Sequence, residues 1–486
     1  MTDAREIAPR PQLLTYPDSL GGNLPAIAAL LEGPLAGAFT GAHILPPFPS
    51  SGDRGFAPIT YAEIDPRFGT WADIERIGRT HDVVLDVMIN HLSRQSPEFR
   101  DFARRGRASA YADLFITLDK VWPDGKVPPE DLARIFLRRP VDPFTKVEIE
   151  ETGETETVWA TFGTADWSEQ IDLDVRSPAT RELITSWLRG FAEHRVRIVR
   201  LDAIGYVIKK PGTSCFMVEP EIWEFIGWIT DVAARHGLAV LPEVHDRYTT
   251  HQRLTAHGAW TYDFVQPGLV LDTFRTGDPR RLAEHLARSP HRQFTMLDCH
   301  DGIPIRPDLD GILPPDDMRA LADHAIARGG NVSRILSPAH AGDVDVHQLN
   351  ITYRAALDGD DDRTVAARAI QLFSRGVPQV YYVGLLAGDN DPDAVRATGD
   401  GREINRHNYT DAEIAAALDR DVVQRLLRLV RLRNTHPAFA GELSVEADAS
   451  VLRQTWTHGR EKLALEVEPA TGLARIREGA GQPAPV

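Results

Sequence analysis

The feature that most limits the fold is an alternation. Short apolar runs recur along the chain, and stretches of helical periodicity lie between several of them. Val83-Val84-Leu85-Asp86-Val87-Met88-Ile89, Val196-Arg197-Ile198-Val199 and Leu238-Ala239-Val240-Leu241 read as buried strands. So do Ala38 to Leu45, Tyr262 to Phe264, and the runs that open at Gln293 and Pro378. Helices are expected over Thr70 to Arg79, with Thr70 as N-cap, and near 178–194, 220–236 and 362–374. Repetition of this kind over 486 residues means a parallel sheet with crossover helices. About eight strands fit a (β/α)8 TIM barrel, an α/β fold. An open doubly wound sheet is the alternative, and it is disfavoured because no Gly-x-Gly-x-x-Gly opens the first helix.

Two stretches break the alternation. Residues 93–175 carry Pro, charge and short strand-like pieces such as Thr145 to Ile149 and Thr157 to Thr161, as expected of a small domain inserted after strand 3. Residues 302–360, rich in Pro, Gly and Asp, form a second insert after strand 7. The barrel then occupies 1–92, 176–301 and 361–436, and alternating strand-like pieces in 437–486 predict a C-terminal β domain.

Chemistry gathers where the strands end. Arg200 and Asp202 sit two apart, so they leave the strand on one side. A carboxylate beside a fixed guanidinium stays ionised, which suits a nucleophile. A strand-end salt bridge is the bland reading of that pair alone. It loses ground because Asn90-His91, Glu243-Val244-His245 and His300-Asp301 close other strands in the same way. In a barrel that face holds the active site. Three carboxylates around one mouth point to glycoside chemistry, with Asp202 as nucleophile and Glu243 as a desolvated, protonated acid. Asp301 is left to stabilise positive charge or bind hydroxyls. His91, His300 and a carboxylate are conceivable metal ligands, but no His pair stands at i, i+4 and no close His/Asp cluster is present.

Composition narrows the class. A net charge of −16 argues against a general nucleic-acid binder and against an anionic membrane surface. Two cysteines, Cys215 and Cys299, form neither a disulfide framework nor a zinc spacing, which fits a reducing, cytoplasmic compartment. No signal peptide and no membrane-spanning apolar run are read.

Asp86-Val87-Met88-Ile89-Asn90-His91, Arg200-Leu201-Asp202-Ala203, Glu243-Val244-His245 and His300-Asp301 resemble, in order, the four signature regions of the α-amylase family of glycoside hydrolases. Within it the chain resembles the sucrose phosphorylase subfamily over nearly its whole length. The matching stretches include His43-Ile44-Leu45-Pro46, Gly212-Thr213-Ser214-Cys215-Phe216-Met217, Gly376-Val377-Pro378-Gln379-Val380-Tyr381-Tyr382-Val383-Gly384 and Ile404-Asn405-Arg406-His407. The resemblance implies Asp202 as nucleophile, Glu243 as acid/base and Asp301 as transition-state stabiliser. It implies that Asp53, Phe56, His91, Phe162, Gln170, Arg200, His300 and Arg406 surround a glucosyl unit. It implies neither metal nor organic cofactor, and inorganic phosphate as the attacking group.

The acceptor side is expected to favour a leaving group that carries a phosphate, as in sucrose 6'-phosphate. Arg138-Arg139-Pro140 lies where the subfamily carries a mobile acceptor loop with an Arg. Asp345-Val346-His347-Gln348 places His347 where Tyr is usual. His347, as a potential cation, is expected to hold the phosphate together with Arg139, with Arg138 or Arg306 in support. Sucrose, a glucosylglycerol-type donor, or a sucrose or α-glucan hydrolase are the alternatives, and a monomer or homodimer is expected.

Overall fold

In the computed structural model, described over residues 6–163, 169–305, 311–336 and 344–486, eight parallel strands form the barrel. They are β1 (Gln12–Thr15), β2 (Gly41–Ile44), β3 (Asp82–Met88), β4 (Val196–Asp202), β5 (Ala239–Pro242), β6 (Thr261–Asp263), β7 (Gln293–Thr295) and β8 (Val377–Tyr381). The sheet runs β6-β7-β8-β1-β2-β3-β4-β5. Its ends nearly meet, and the Trp260 amide donates to the Val240 carbonyl across the seam at 3.0 Å.

The strands form where burial favours them. Val83, Val84, Leu85, Val87, Ile198, Val199 and Leu201 are all fully buried, as a parallel sheet covered by helices requires. The helix Trp71–Ile77 starts at Thr70 with a capping box closed by Asp73. The helices Pro178–Glu193 and Glu221–Arg235 each return the chain to the next strand. Phe48, Tyr61, Trp71 and Phe191 pack as one aromatic cluster outside β2 and β3. From that cluster Tyr61 Oη accepts the Met88 amide at 2.7 Å, which fixes the end of β3.

After β3 the chain leaves the barrel. His91–Ser93 pairs antiparallel with Gln170–Asp172, and Phe144–Glu148 pairs with Thr155–Trp159. Ile116, Val121, Trp122, Ile135, Trp159 and Cys215 form a small core of their own there. After β7 a three-stranded antiparallel sheet joins Ile303–Pro304, Val346–Asn350 and Asn331–Arg334, beside a helix Pro315–Ala327. The chain ends in a five-stranded antiparallel sheet from Glu442 to Pro485, packed on the helix Asp361–Leu372.

Two barrel strands differ from the sequence reading. The run Ala38 to Leu45 becomes a strand only from Gly41, because Gly37 turns the chain at a φ of +72°. The first barrel strand, Gln12–Thr15, has no counterpart in that reading. No helix of the described residues is long and apolar enough to cross a membrane.

Candidate active site

The C-terminal ends of β3, β4 and β5 bring three carboxyls to one guanidinium. β3 and β4 pair in register, Asp86 beside Arg200 and Met88 beside Asp202. Arg200 is 3% exposed. Its Nη1 donates to Asp86 Oδ1 and, at 3.0 Å, to Asp202 Oδ1. Its Nη2 forms an ion pair with Glu243 Oε1 at 2.9 Å. His245 Nε2 lies 3.2 Å from the same Glu243 oxygen.

This sharing changes the expected proton order. Burial and then the Glu243 charge push Asp202 well above the usual carboxylate range. Against its own burial, Glu243 is held at about 2 by Arg200 and His245. The sequence expects the reverse, an ionised Asp202 and a protonated Glu243. It shows Arg200 beside Asp202 but not that the same guanidinium reaches across to β5. Two buried carboxyls on one cation titrate as a pair, and with no ligand bound the Asp202 end holds a proton more readily than the Glu243 end.

A pocket of rings and donors adjoins this pair. The His300 ring stacks on Phe56 at 5.1 Å and 2°. His91 Nε2 donates to the Phe56 carbonyl at 3.0 Å, and the His91 ring lies 5.3 Å from Phe162. Nδ1 of both His91 and His300 is buried without a hydrogen-bond partner among the described residues. Burial pulls His300 down to about 4, so the ring is neutral near pH 7. Against its own burial, Asp301 is held far below the usual range by His300, Arg402, Arg200 and Arg406. Arg402 bridges Asp301 and Asp53 at 3.3 and 3.2 Å, and Arg406 donates from Nε to the His300 carbonyl at 2.7 Å. Asp53 and Arg54 hold φ values of 50° and 47°, a left-handed kink at the site rim. Gln170 is buried on the strand that pairs with His91–Ser93.

Sequence reasoning left out Arg402, His43, Lys209 and Tyr206. Arg402 stands next to the stretch Glu403-Ile404-Asn405-Arg406, so proximity to a matching segment was a readable signal. Lys209 is invisible as a site residue until the fold puts its ammonium on Asp172, 2.7 Å away.

The acceptor side differs from the expected pairing. Arg139 is 1% exposed and faces inward, donating to the backbone carbonyls of Asp142 and Phe144 at 3.0 Å. These bonds pin its own loop, where the sequence reading pairs Arg139 with His347. Arg138 takes the outward place, its guanidinium 5.9 Å from the ring centres of both Phe162 and Tyr206. His347 meets His245 edge-on at 5.1 Å, and His245 stacks on Phe264 at 4.1 Å. Burial, then His245 and Arg138, hold His347 well below its ordinary pKa. Without a ligand His347 is therefore a neutral imidazole rather than the expected cation. Asp345 pairs with Arg334, and Gln348 lies buried in the antiparallel sheet after β7. Arg306 lies outside the described residues.

Donor atoms of Glu243, His245 and Asp301 lie within 4.8 Å of one another, as do those of Cys299, His300 and Asp301. At this mouth these are the residues that could hold a metal. In the first group, Glu243 is already ion-paired with Arg200, and Asp301 accepts from Arg402.

The comparisons agree with this geometry. Residues 38–266 match the model of the α-amylase catalytic domain. The chain is 51% identical over 463 residues, 95% of each chain, to sucrose 6(F)-phosphate phosphorylase of Thermoanaerobacterium thermosaccharolyticum. It is 41% identical, over 92% of each, to glucosylglycerol phosphorylase of Marinobacter adhaerens. The crystal structure of a sucrose 6F-phosphate phosphorylase from Thermoanaerobacter thermosaccharolyticum superimposes with a TM-score of 0.97 at 49% identity, covering both chains fully. A barrel with three carboxylates at its mouth and these matches define the class, and the chain belongs to the α-amylase family of glycoside hydrolases. Within that family it groups with the glycoside phosphorylases.

Proposed function

We propose that the protein transfers glucose from sucrose 6'-phosphate to inorganic phosphate with net retention, releasing fructose 6-phosphate and α-glucose 1-phosphate. Asp202 attacks the anomeric carbon while Glu243 protonates the leaving oxygen. For this the shared proton moves from the Asp202 end to Glu243 as the glucosyl unit displaces solvent and the leaving oxygen meets Glu243. A β-glucosyl ester on Asp202 results. Phosphate then attacks the anomeric carbon, Glu243 takes its proton, the bond from that carbon to the Asp202 oxygen breaks, and the α-configuration returns. His91 and His300 offer their unpartnered Nδ1 atoms to glucosyl hydroxyls, Phe56 covers a sugar face, and Asp301 stabilises developing positive charge.

The observation that carries the donor is Arg138. It is exposed at the acceptor side, and no carboxylate pairs with it among the described residues. A phosphomonoester held between Arg138, His347 and His245 supplies that anion. Its charge also draws a proton onto His347, reversing the balance that keeps the ring neutral in the empty site. The 51% identity to a sucrose 6(F)-phosphate phosphorylase supports the same donor.

The test is a phosphorolysis panel of sucrose 6'-phosphate, sucrose and 2-O-α-glucosylglycerol, read as α-glucose 1-phosphate. The phosphorylated donor is expected to have the largest kcat/KM. A charge-assisted contact contributes about 1.5–3 kcal/mol, so Arg138→Ala and His347→Ala should each lower the preference over sucrose roughly tenfold or more. Equal constants for the first two donors, a preference for glucosylglycerol, or a β-configured product would refute the reading.

A further inference from the structure

Behind the carboxyl pair runs a buried chain that the resemblance assigns to nothing. It begins on β8 and crosses the barrel interior to β4. Gln379 Nε2 lies 3.2 Å from His43 Nδ1. His43 Nε2 lies 2.8 Å from Asp86 Oδ2, and Asp86 Oδ1 accepts from Arg200 Nη1. Gln379 and His43 are each 1% exposed and Asp86 is fully buried. The register brings them together, since β1 lies between β8 and β2, with Gln12 beside both Gln379 and Gly41.

We infer that His43 is a positioning residue for the reaction: by anchoring Asp86 it fixes the guanidinium that holds Asp202 and Glu243 in one geometry. Asp86 is an acceptor, so the His43 nitrogen facing it must carry a proton. The Gln379 amide donates to the other nitrogen, which selects the Nε2–H tautomer. Asp86 is then satisfied on one oxygen by the imidazole and on the other by Arg200. An aspartate with only the Arg200 bond is free to rotate about its side chain, and Arg200 swings with it. The order of bonds matters for chemistry because Arg200 has few other restraints. Among the described residues its polar contacts run only to Asp86 and to the two carboxyls that must change protonation and partner during turnover, with the Phe56 ring 5.7 Å from its guanidinium. The Asp86 end is thus the fixed post and the carboxyl end the working end. Around the post, the charged and titratable groups are Tyr61 beside the end of β3, Arg200 and Asp202 from β4, Glu243 from β5, Tyr262 from β6, and His300 and Asp301 beyond β7. None of them replaces the His43 bond to Asp86 Oδ2.

This inference rests on the roles proposed for Asp202 and Glu243. Those roles are tested separately by Asp202→Asn, which should abolish turnover in an otherwise unchanged chain. The relay is tested with His43→Leu, His43→Gln and Gln379→Leu, each checked for folding by thermal unfolding. In His43→Leu, kcat is expected to fall tenfold or more, with KM for phosphate changed little. Both limbs of the pH–kcat profile should move up together, since a loosened Arg200 favours both ionised carboxyls less. An upward shift on the order of half a unit to one unit is expected, part of the 1–3 units that an adjacent Arg supplies. His43→Gln keeps a donor toward Asp86 and should recover most of the loss. Gln379→Leu removes no partner of a charge, so it carries the test if His43→Leu does not fold, with a severalfold loss and the same direction of shift. A folded His43→Leu or Gln379→Leu with wild-type kcat and unmoved limbs overturns the relay. So does a His43→Gln as impaired as the leucine variant.

Discussion

Removing the Lys209 ammonium should loosen the insert that carries the outer wall of the proposed glucosyl pocket. Lys209 is buried among the ends of three segments. Its Nζ pairs with Asp172 Oδ2, 2.7 Å away on the insert strand, and donates to Thr161 Oγ1 at 3.1 Å and to Asn90 Oδ1 at 3.2 Å past β3. It also donates to the Tyr206 carbonyl past β4 and lies 5.1 Å from the Trp159 ring centre. Lys209→Met keeps much of the volume and removes the charge. Breaking a buried ion pair costs about 3–5 kcal/mol. Asp172 keeps two bonds from Thr161, from N at 2.8 Å and Oγ1 at 2.5 Å, which places the loss at the low end. Native-state hydrogen exchange should show reduced protection in 91–93 and 170–172, by about 3 kcal/mol where opening is local. His91 and Phe162 hang from these segments, so kcat/KM for the glucosyl donor should fall roughly tenfold to a hundredfold. Adding Asp172→Asn removes the stranded charge and should restore part of the protection. Wild-type exchange in the single variant, or a double variant less protected than the single one, would refute the account.

Two further outcomes follow from other contacts. Glu243→Gln should be nearly inactive on sucrose-type donors yet work on α-glucosyl fluoride, whose leaving group needs no acid. Burial and the Glu243 charge raise Asp202, so removing that charge lowers Asp202 and should move the acidic limb of fluoride turnover to lower pH; a limb that stays or rises contradicts the shared-proton pair. Gly384→Ala should destabilise the fold by about 3 kcal/mol or more, read by chemical unfolding. A Cβ there overlaps Asp298 and Arg368, a buried pair joined at 3.1 Å, and wild-type stability would show that the pair yields freely.

The site was legible because a parallel barrel puts every strand's last residues on one face. Asn90, Asp202, Glu243 and His300 could therefore be collected from the sequence without knowing which strands are neighbours. What depended on neighbours was not legible. Arg200 reads as the partner of Asp202 because the two are close in sequence, while its bond to Glu243 depends on the β4–β5 register. His43 reads as part of an apolar segment, and its two polar partners come from β3 and β8. The strand Gln12–Thr15 was missed because only Leu13 and Leu14 in it are apolar, too short a run to read as a buried strand. The helix Pro315–Ala327 lay in a stretch read as irregular, although Met318, Leu321, Ala322 and Ala325 carry helical spacing. Arg138 and Arg139 are chemically identical in a loop with no period, so only the backbone could decide which one turns inward.

The pairing of charges at the mouth leads to the last prediction. Arg200 serves Asp86, Asp202 and Glu243, and Arg402 serves Asp53 and Asp301. Arg406 serves Glu403 and Asp301. Arg138 alone of these four arginines has no carboxylate among the described residues. On the proposed function two anions visit the acceptor side in turn, the phosphate of the leaving sugar and then inorganic phosphate. Both come to the glucosyl ester at the same mouth, and a single exposed guanidinium cannot hold both at full strength. Fructose 6-phosphate and inorganic phosphate should therefore compete for the glucosyl-enzyme, giving ping-pong kinetics with competitive inhibition between them. Arg138→Ala should weaken both, raising KM for phosphate and Ki for fructose 6-phosphate each roughly tenfold or more, the equivalent of one lost charge-assisted bond. With phosphate bound less well, water gains at the ester, so the ratio of free glucose to glucose 1-phosphate should rise in the same variant. The measurement is initial-rate kinetics with both products quantified. If Arg138→Ala raises Ki for fructose 6-phosphate while KM for phosphate and the hydrolysis ratio stay at wild-type values, the two anions have separate sites and the shared-cation argument fails.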